Sequence, residues 1–307
     1  MQAAAGGDGR ALGRLISLVE RGGEDERSVA RLVFPRTGGA WVVGVTGAPG
    51  VGKSSLVDAL VACIRAAGDR VAVVAVDPSS AVSGGAILGD RFRMQRHATD
   101  AGVFVRSMAS RGQLGGLARA TLGAVRVLDA SGWPWILIET VGAGQVELDV
   151  AGAADTTVVA VTPGWGDSLQ VAKAGLMEAA DVFVVNKSDR PGADEAVRDL
   201  ELELDLDQAD WRPPVVRTVA PTGEGVDGLL DAVRRHRLFL TDHGTVTGRR
   251  RERLASEVRR LAQEEGVTAI AAHCRNAAFD QVVAEVSARR LDPLAAADAV
   301  LATRPDG

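Results

Sequence analysis

Cysteine is scarce in this chain, and long apolar runs are absent. The two cysteines, Cys63 and Cys274, lie far apart. They are too few for a disulfide framework and lack the paired spacing of zinc ligands. No stretch of about 18 uninterrupted apolar residues occurs, and no compact apolar block follows Arg10 and Arg14 near the start. We therefore expect a cytoplasmic protein with neither a signal peptide nor a membrane span.

Positive charge is also in deficit, because 40 acidic residues outnumber 35 basic ones and the net charge is -5. Binding of nucleic acid by a whole surface needs an excess of Lys and Arg, so we expect no nucleic-acid partner. The Arg-rich stretch 234–260 is interleaved with Glu252 and Glu257, which is typical of a solvated helix face. Any site for phosphate must therefore be local.

Lysine is the rarest basic residue, since only Lys53, Lys173 and Lys187 occur among the 35 basic positions. Lysine offers a compact ammonium group on a flexible stem, which the planar guanidinium of arginine does not reproduce. Because arginine is used almost everywhere else, these three positions are candidates for functional roles.

Short apolar runs recur along the middle of the chain. Between the first two, Leu56, Leu60 and Ile64 repeat at helical spacing, and Gly68 stands where a helix would end. The repeated βαβ pattern predicts an α/β fold with a mostly parallel central sheet flanked by helices, binding ligands at the carboxyl ends of its strands. Seven runs have the length of strands buried on both faces, namely residues 41–46, 71–76, 103–105, 135–138, 157–161, 182–185 and 215–219.

Outside this core the sequence predicts helical arms. Leu12, Ile16 and Val19 share one helical face near the start, and the C-terminal part reads as helices rich in Ala and Arg. We expect three regions, an N-terminal helical arm, a nucleotide-binding domain and a C-terminal helical arm, at residues 1–34, 35–235 and 236–307.

A glycine-rich loop follows the first predicted strand. It matches G-x-x-x-x-G-K-[ST], the phosphate-binding loop of P-loop NTPases, in the strand-to-helix context that this pattern requires. Backbone N–H groups of such a loop surround phosphate oxygens at a helix N-terminus, Lys53 supplies positive charge, and the Ser54 hydroxyl can ligate Mg²⁺. We expect nucleotide to bind Gly47, Ala48, Pro49, Gly50, Val51, Gly52, Lys53, Ser54 and Ser55.

The residues after the run 182–185 match the N-K-x-D pattern of GTPases with Asn186, Lys187 and Asp189. A carboxylate at Asp189 can accept hydrogen bonds from N1–H and the exocyclic amine of guanine, whereas adenine offers no such pair of donors. The alternative role is a helix N-cap. The position after a buried strand favours guanine binding, so GTP and GDP are the expected ligands.

Carboxylates follow two further predicted strands. Glu139 begins the stretch 139–145, in which the N–H of Gly142 can sense the γ-phosphate and Gln145 comes last. Two aspartates lie in the loop after the second strand, where either could instead cap a helix. The candidate ligands of Mg²⁺ are Ser54, Asp77, Asp90 and Glu139.

These motifs resemble those of the MeaB-type GTPases, also known as ArgK-like, which are chaperones of cobalamin-dependent acyl-CoA mutases such as methylmalonyl-CoA mutase. The most specific stretches are 84–91 and 107–117. Further stretches that carry the resemblance are residues 10–20, 77–80, 139–145, 163–170, 211–214 and 291–293.

Carried over by position, the resemblance makes 77–90 the first switch, 139–145 the second, and 163–175 a third that relays the nucleotide state to the mutase. It implies that Val219, Ala220 and Pro221 contact guanine. Val219 and Ala220 stand in place of the family's Ser-Ala pair and offer backbone N–H groups but no hydroxyl. The catalytic residues that it implies are Lys53, Asp90, Glu139, Gln145 and Lys173.

The resemblance thus implies a GTP-hydrolysing chaperone that gates the loading or protection of adenosylcobalamin on an acyl-CoA mutase. It also implies a homodimer built by the C-terminal arm. Two alternatives remain. A nickel-type metallochaperone GTPase would need clustered Cys or His ligands, whereas the chain has scattered histidines. A kinase of a transport protein is suggested only by the ArgK name, since no acceptor-side base stands out. The histidines are His97, His236, His243 and His273.

Overall fold

A computed structural model describes residues 7–77, 94–109, 119–140, 150–164, 172–206 and 210–302. Among them, seven strands form one sheet in the order β3-β2-β4-β1-β5-β6-β7, in which all neighbours are parallel. The predicted fold class and all seven predicted strands are confirmed, although β3 ends at Ala109 instead of Val105. The strands are β1 (Trp41–Thr46), β2 (Val71–Asp77), β3 (Val103–Ala109), β4 (Trp135–Thr140), β5 (Thr156–Val161), β6 (Val182–Asn186) and β7 (Val215–Thr218).

The central strands are buried along their whole length, as continuous apolar runs predict. Many of their positions are β-branched, and such side chains pack well on a pleated surface. Because all strands are parallel, the loops after β1, β4 and β6 emerge at the same edge of the sheet. This carboxyl edge carries the candidate site.

Helices cover both faces of the sheet. On one face, α3 (Lys53–Ala66) and α7 (Val226–Asp242) share an apolar cluster with β1, β2 and β4. On the other, α1 (Gly9–Arg21), α2 (Gly23–Val33) and α4 (Arg119–Ala130) pack together, with the predicted apolar face of α1 buried. Two further α-helices lie between β5 and β7, namely α5 (Ala172–Ala179) and α6 (Ala193–Leu204).

The beginning of β1 is attached to the end of α4. The Asp129 carboxylate accepts hydrogen bonds from three successive backbone N–H groups, those of Gly38, Gly39 and Ala40, at 2.6, 3.1 and 2.9 Å. Hydrogen bonds to an ionised carboxylate are stronger than those between neutral groups. The anchor therefore sets where β1 enters the sheet.

A buried polar chain joins α7 to the amino edge of the sheet. Trp41 Nε1 donates to Thr156 Oγ1 at 3.0 Å, and this oxygen lies 2.9 Å from His236 Nδ1. His236 Nε2 lies 3.2 Å from Asp181 Oδ1. Both ring nitrogens of His236 therefore have a polar partner inside the fold. His236 is thus a packed structural residue.

The chain divides into two compact units, Met1–Val246 and Thr247–Gly307. The second contains most of α8 (Val246–His273), together with α9 (Ala277–Ser287) and α10 (Pro293–Ala302). Among its described residues only Ala296 is buried. The three-part division at 34/35 and 235/236 stays a prediction. No helix in the described ranges combines the length and apolar character that crossing a membrane requires.

Candidate functional site

The loop between β1 and α3 has the backbone conformation that its glycines allow. Gly47, Gly50 and Gly52 have φ of 137°, 79° and 96°, a region that other residues rarely adopt. Gly47 also passes very close to β5, because a Cβ atom built there would lie 2.1 Å from the carbonyl oxygen of Ala160. The loop therefore wraps tightly over the carboxyl edge before α3 begins.

Lys53 is the first residue of α3 and is buried. Its ammonium group donates to the carbonyl oxygens of Gly47 and Ala48, the second at 3.1 Å. The side chain thus folds back over the loop that it follows. A helix N-terminus beneath a glycine-rich loop is a ready site for an anion, since its N–H groups and its dipole both favour negative charge.

Ser54 and Glu139 meet across the carboxyl edge. Ser54 Oγ donates to Glu139 Oε1, and both residues are buried. The contact joins α3 to the end of β4 and brings together two of the four candidate ligands of Mg²⁺. Mg²⁺ takes oxygen ligands and keeps several waters, so a hydroxyl and a carboxylate in contact fit this ion.

Asn186 joins the end of β6 to both neighbouring loops. Its Nδ2 donates to the carbonyl oxygen of Val51 at 2.8 Å, and its Oδ1 accepts from Thr218 Oγ1 and from the Ala220 N–H, each at 3.1 Å. Lys187 has φ of 58° and donates from Nζ to the carbonyl oxygen of Gly50 at 2.6 Å. The two predicted motifs are therefore in direct contact.

Asp189 lies just beyond these contacts with an exposed side chain. Within the described ranges its carboxylate receives no hydrogen bond and forms no ion pair, so its oxygens are available to a ligand.

The loop after β7 is close to the same point. The Ala220 N–H donates to Asn186, and the Val219 N–H donates to the carbonyl oxygen of Glu224 at 2.9 Å. Both N–H groups predicted to contact the base thus have partners within the chain. A base oxygen would have to share the Ala220 N–H. Pro221 follows with an exposed side chain and has no N–H to offer.

Several predicted site residues fall outside the described residues. These residues are Asp90, Gly142 and Gln145. For Asp77 in β2 and Lys173 in α5, the backbone is described but the side chain is not. Most of the three predicted switches lies outside the described ranges as well.

The chain returning from the first predicted switch is attached to α3. Asp58 Oδ2 lies 2.7 Å from Arg96 Nη2, and the Arg65 guanidinium binds both carboxylate oxygens of Asp100 at 2.8 and 3.0 Å. The hydrogen bond from Arg65 lowers the pKa of Asp100, and the N–H of Gly102 lowers it further. Two ion pairs therefore attach residues 96–100 to α3, the helix that follows the phosphate loop. Burial raises the pKa of the Cys63 thiol on the same helix.

Sequence reasoning did not identify Thr218. Its hydroxyl donates to Asn186 Oδ1, and its carbonyl oxygen accepts hydrogen bonds from the N–H and the hydroxyl of Ser188, both at 3.1 Å. The one available signal was a threonine at the end of a short strand. In the described part of the chain, no group of three or more His, Cys, Asp or Glu side chains is placed to hold a metal.

The parallel sheet, the phosphate loop and the adjoining N-K-x-D motif define a P-loop GTPase. A family model described as "Methylmalonyl Co-A mutase-associated GTPase MeaB" matches residues 12–275. The chain belongs to this MeaB family.

Known relatives match between about two thirds and nearly all of the chain. A Pyrococcus abyssi protein, named as an inferred GTPase, is 48% identical to this chain over 300 residues. The match covers 96% of this chain and 93% of the relative. The mouse "Methylmalonic aciduria type A homolog, mitochondrial" is 38% identical over 215 residues, or 68% of this chain and 52% of that protein. The crystal structure of an LAO/AO transport system kinase superposes with a TM-score of 0.73 at 25% identity, covering 97% and 94% of the two chains.

Proposed function

We propose that this GTPase is a chaperone that gates the loading or protection of adenosylcobalamin on an acyl-CoA mutase. The observation that carries the nucleotide part is the contact between the two motifs, in which Asn186 and Lys187 bind the phosphate loop at Val51 and Gly50. A guanine held by Asp189 would therefore lie at a defined distance from the phosphates. Such fixed placement is what phosphoryl transfer requires of a protein.

The phosphates and Mg²⁺ would occupy the loop from Gly47 to Ser55. Lys53 exchanges its carbonyl partners for phosphate oxygens, and the loop N–H groups bind the others. Ser54 and Glu139 would hold Mg²⁺, with Asp77 and Asp90 as the other candidates. Mg²⁺ would neutralise charge that develops on the phosphates during transfer.

Hydrolysis by these groups alone should be slow. Gln145 lies three residues beyond Gly142 in the sequence, farther than the position next to a switch glycine from which a glutamine usually orients the attacking water. No sequence motif assigns an arginine of this chain to the transition state. We propose that a partner orders the switches, and that residues 163–175 with Lys173 relay the nucleotide state to it.

The partner that we propose is a cobalamin-dependent acyl-CoA mutase of the methylmalonyl-CoA mutase type. Support comes from the name of the matching family model and from that of the mouse relative. The corrinoid belongs to the partner in this proposal, because the chain shows no cobalamin-ligand motif of its own.

We also propose a homodimer built by the C-terminal arm. Helix α8 has 28 residues and none of its described side chains is buried. Leu254 and Val258 stand one turn apart and are 40% and 65% exposed. Since a helix in water owes most of its stability to packing of an apolar face, another surface should cover this one. A second copy supplies it in our proposal.

GTP turnover measured with and without purified candidate mutases tests the chaperone role. We expect slow intrinsic turnover and a several-fold acceleration by the right mutase, because a partner that favours the hydrolysis-competent state raises its population. Fast turnover that no mutase alters would contradict the chaperone role while leaving the GTPase intact. A nickel metallochaperone or a kinase of a transport protein is not favoured by any contact in the described residues.

A further inference from the structure

One row of side chains crosses the sheet at its carboxyl edge. Val76 is the register partner of Thr140, and Thr46 is that of Val159. Thr46 and Thr140 are the residues that follow the register pair Val45 and Glu139 on β1 and β4. The row thus reads Val, Thr, Thr, Val, and all four side chains are buried.

The two hydroxyl groups in this row have no hydrogen-bond partner in the described structure. Thr46 is 0% exposed and Thr140 is 1% exposed, so bulk water does not reach them. A buried hydroxyl without a partner is unfavourable, and valine has the same shape without that cost. Valine already flanks the pair on both sides. The two hydroxyls therefore need an explanation that packing does not provide.

Their place in the chain suggests one. Thr46 is bonded directly to Gly47, the first residue of the phosphate loop, and Thr140 directly follows Glu139. On the α3 side of the sheet, Ser54 already joins the beginning of α3 to Glu139 at the end of β4. The threonines point to the opposite side, because successive side chains of a strand alternate between faces.

That opposite face is closely packed. Gly44 stands two residues before Thr46 and so faces the same side, where a Cβ atom built on it would lie 2.2 Å from Val150 Cγ1. Val150 is the first described residue after Thr140. The two hydroxyls therefore lie in the interior, on residues that are chain neighbours of Gly47 and Glu139.

We propose that Thr46 and Thr140 are positioning residues for GTP hydrolysis, whose hydroxyls hydrogen-bond to each other across β1 and β4 in the complex with GTP and Mg²⁺. Neighbouring strands lie about 4.8 Å apart, so rotation about one χ1 brings two in-register threonine oxygens within hydrogen-bonding distance. The bond holds Glu139 in register with the phosphate loop during hydrolysis. Neither residue touches the nucleotide, and the inference rests on the nucleotide site proposed above.

A double-mutant cycle tests this pair. Thr46→Val, Thr140→Val and the double variant remove the hydroxyls with little change of shape, while Thr46→Ser and Thr140→Ser keep them. We expect each valine variant to lower kcat about two- to five-fold, in line with cross-strand threonine pairs. KM and the melting temperature without nucleotide should be equal to or better than those of the parent. The double variant should be no slower than the singles, and serine should restore kcat.

Three results would overturn the inference. Valine variants with parental kcat would show that the hydroxyls play no part. Losses in kcat that multiply in the double variant would show that the two residues do not interact. A lowered melting temperature shared by the valine and serine variants would assign the effect to packing. If the parent itself fails to bind GTP, the proposed nucleotide site fails as well, which separates that failure from those of the threonine pair.

Discussion

Asn186 Nδ2 donates a hydrogen bond of 2.8 Å to the carbonyl oxygen of Val51, which joins the base-recognition motif to the phosphate loop. The contact leaves no room beside it. A Cβ atom on Gly52 would lie 2.6 Å from Asn186 Nδ2, and Gly52 has φ of 96°. Both the space and the backbone conformation at this position therefore require glycine.

We expect Gly52→Ala to weaken GTP binding at least about tenfold and to lower the free energy of unfolding by about 1–3 kcal/mol. The alanine would strain the backbone at this φ and would displace the side-chain amide of Asn186, and both effects are unfavourable. Isothermal titration and urea unfolding measure the two effects. Gly228→Ala in α7 is the matched control, since its Cβ atom would make an ordinary contact of 3.8 Å with Val216 Cγ1 of β7. Parental GTP affinity in Gly52→Ala would contradict the described packing.

Guanine selectivity should depend on Asp189. A site built to pair with particular N–H donors rejects an analogue that lacks them by about 10⁴-fold or more, so ATP should compete poorly with GTP. Asp189→Asn should shift the preference towards xanthine nucleotides, because the amide can donate where the carboxylate accepted. Competition binding with GTP, ATP and XTP measures this. Asp199→Asn, another exposed carboxylate, should leave the preference unchanged.

Mg²⁺-dependent binding should depend on Ser54. Ser54→Ala removes an oxygen from an ion that demands near-octahedral coordination, so nucleotide affinity in Mg²⁺ should fall towards that measured in EDTA. Lys53→Ala should reduce kcat further, since it removes the charge nearest the transferred phosphoryl group. Ser256→Ala, at an exposed position of α8, serves as the control. If both site variants hydrolyse GTP at the parental rate, the phosphate loop is not the active site.

The proposed relay predicts that substitutions in residues 163–175 affect acceleration by the mutase without affecting GTP affinity. Lys173→Ala or Asp167→Ala should leave GTP affinity nearly intact and reduce the acceleration of turnover by the mutase. A group that acts only on the partner-bound state changes the coupling between sites and not the binding itself. Turnover with saturating mutase, compared with turnover alone, measures the coupling. An acceleration indifferent to both substitutions would remove residues 163–175 from the proposal.

Acid should weaken the attachment of residues 94–102 to α3. The pKa of Asp100 is lowered in the folded protein, chiefly by its hydrogen bond with Arg65, so this pair stabilises the fold at pH values above the unfolded pKa. The contribution is lost as the pH falls through the folded pKa. Asp100→Asn should therefore flatten the acid side of the stability profile. Urea unfolding between about pH 7 and pH 3 measures it, with Asp210→Asn as the control. Identical profiles for Asp100→Asn and the parent would contradict this.

The strands and the two nucleotide motifs could be predicted because each is a local pattern. Buried parallel strands are continuous apolar runs, and both motifs directly follow such runs. The contacts between motifs could not be predicted, because Asn186 and Val51 are 135 residues apart and meet only through the order of the strands. Thr218 was missed for the same reason. Local periodicity does not set the strand order that brings β7 beside β6.

Strand β1 is held at both of its ends, by Asp129 before it and by the close passage of Gly47 against Ala160 after it. The strand between has six residues, all buried. Inserting or deleting one residue there would turn every following side chain to the opposite face and move the phosphate loop by about 3.3 Å. The number of residues in β1 is therefore fixed by the two attachments at its ends.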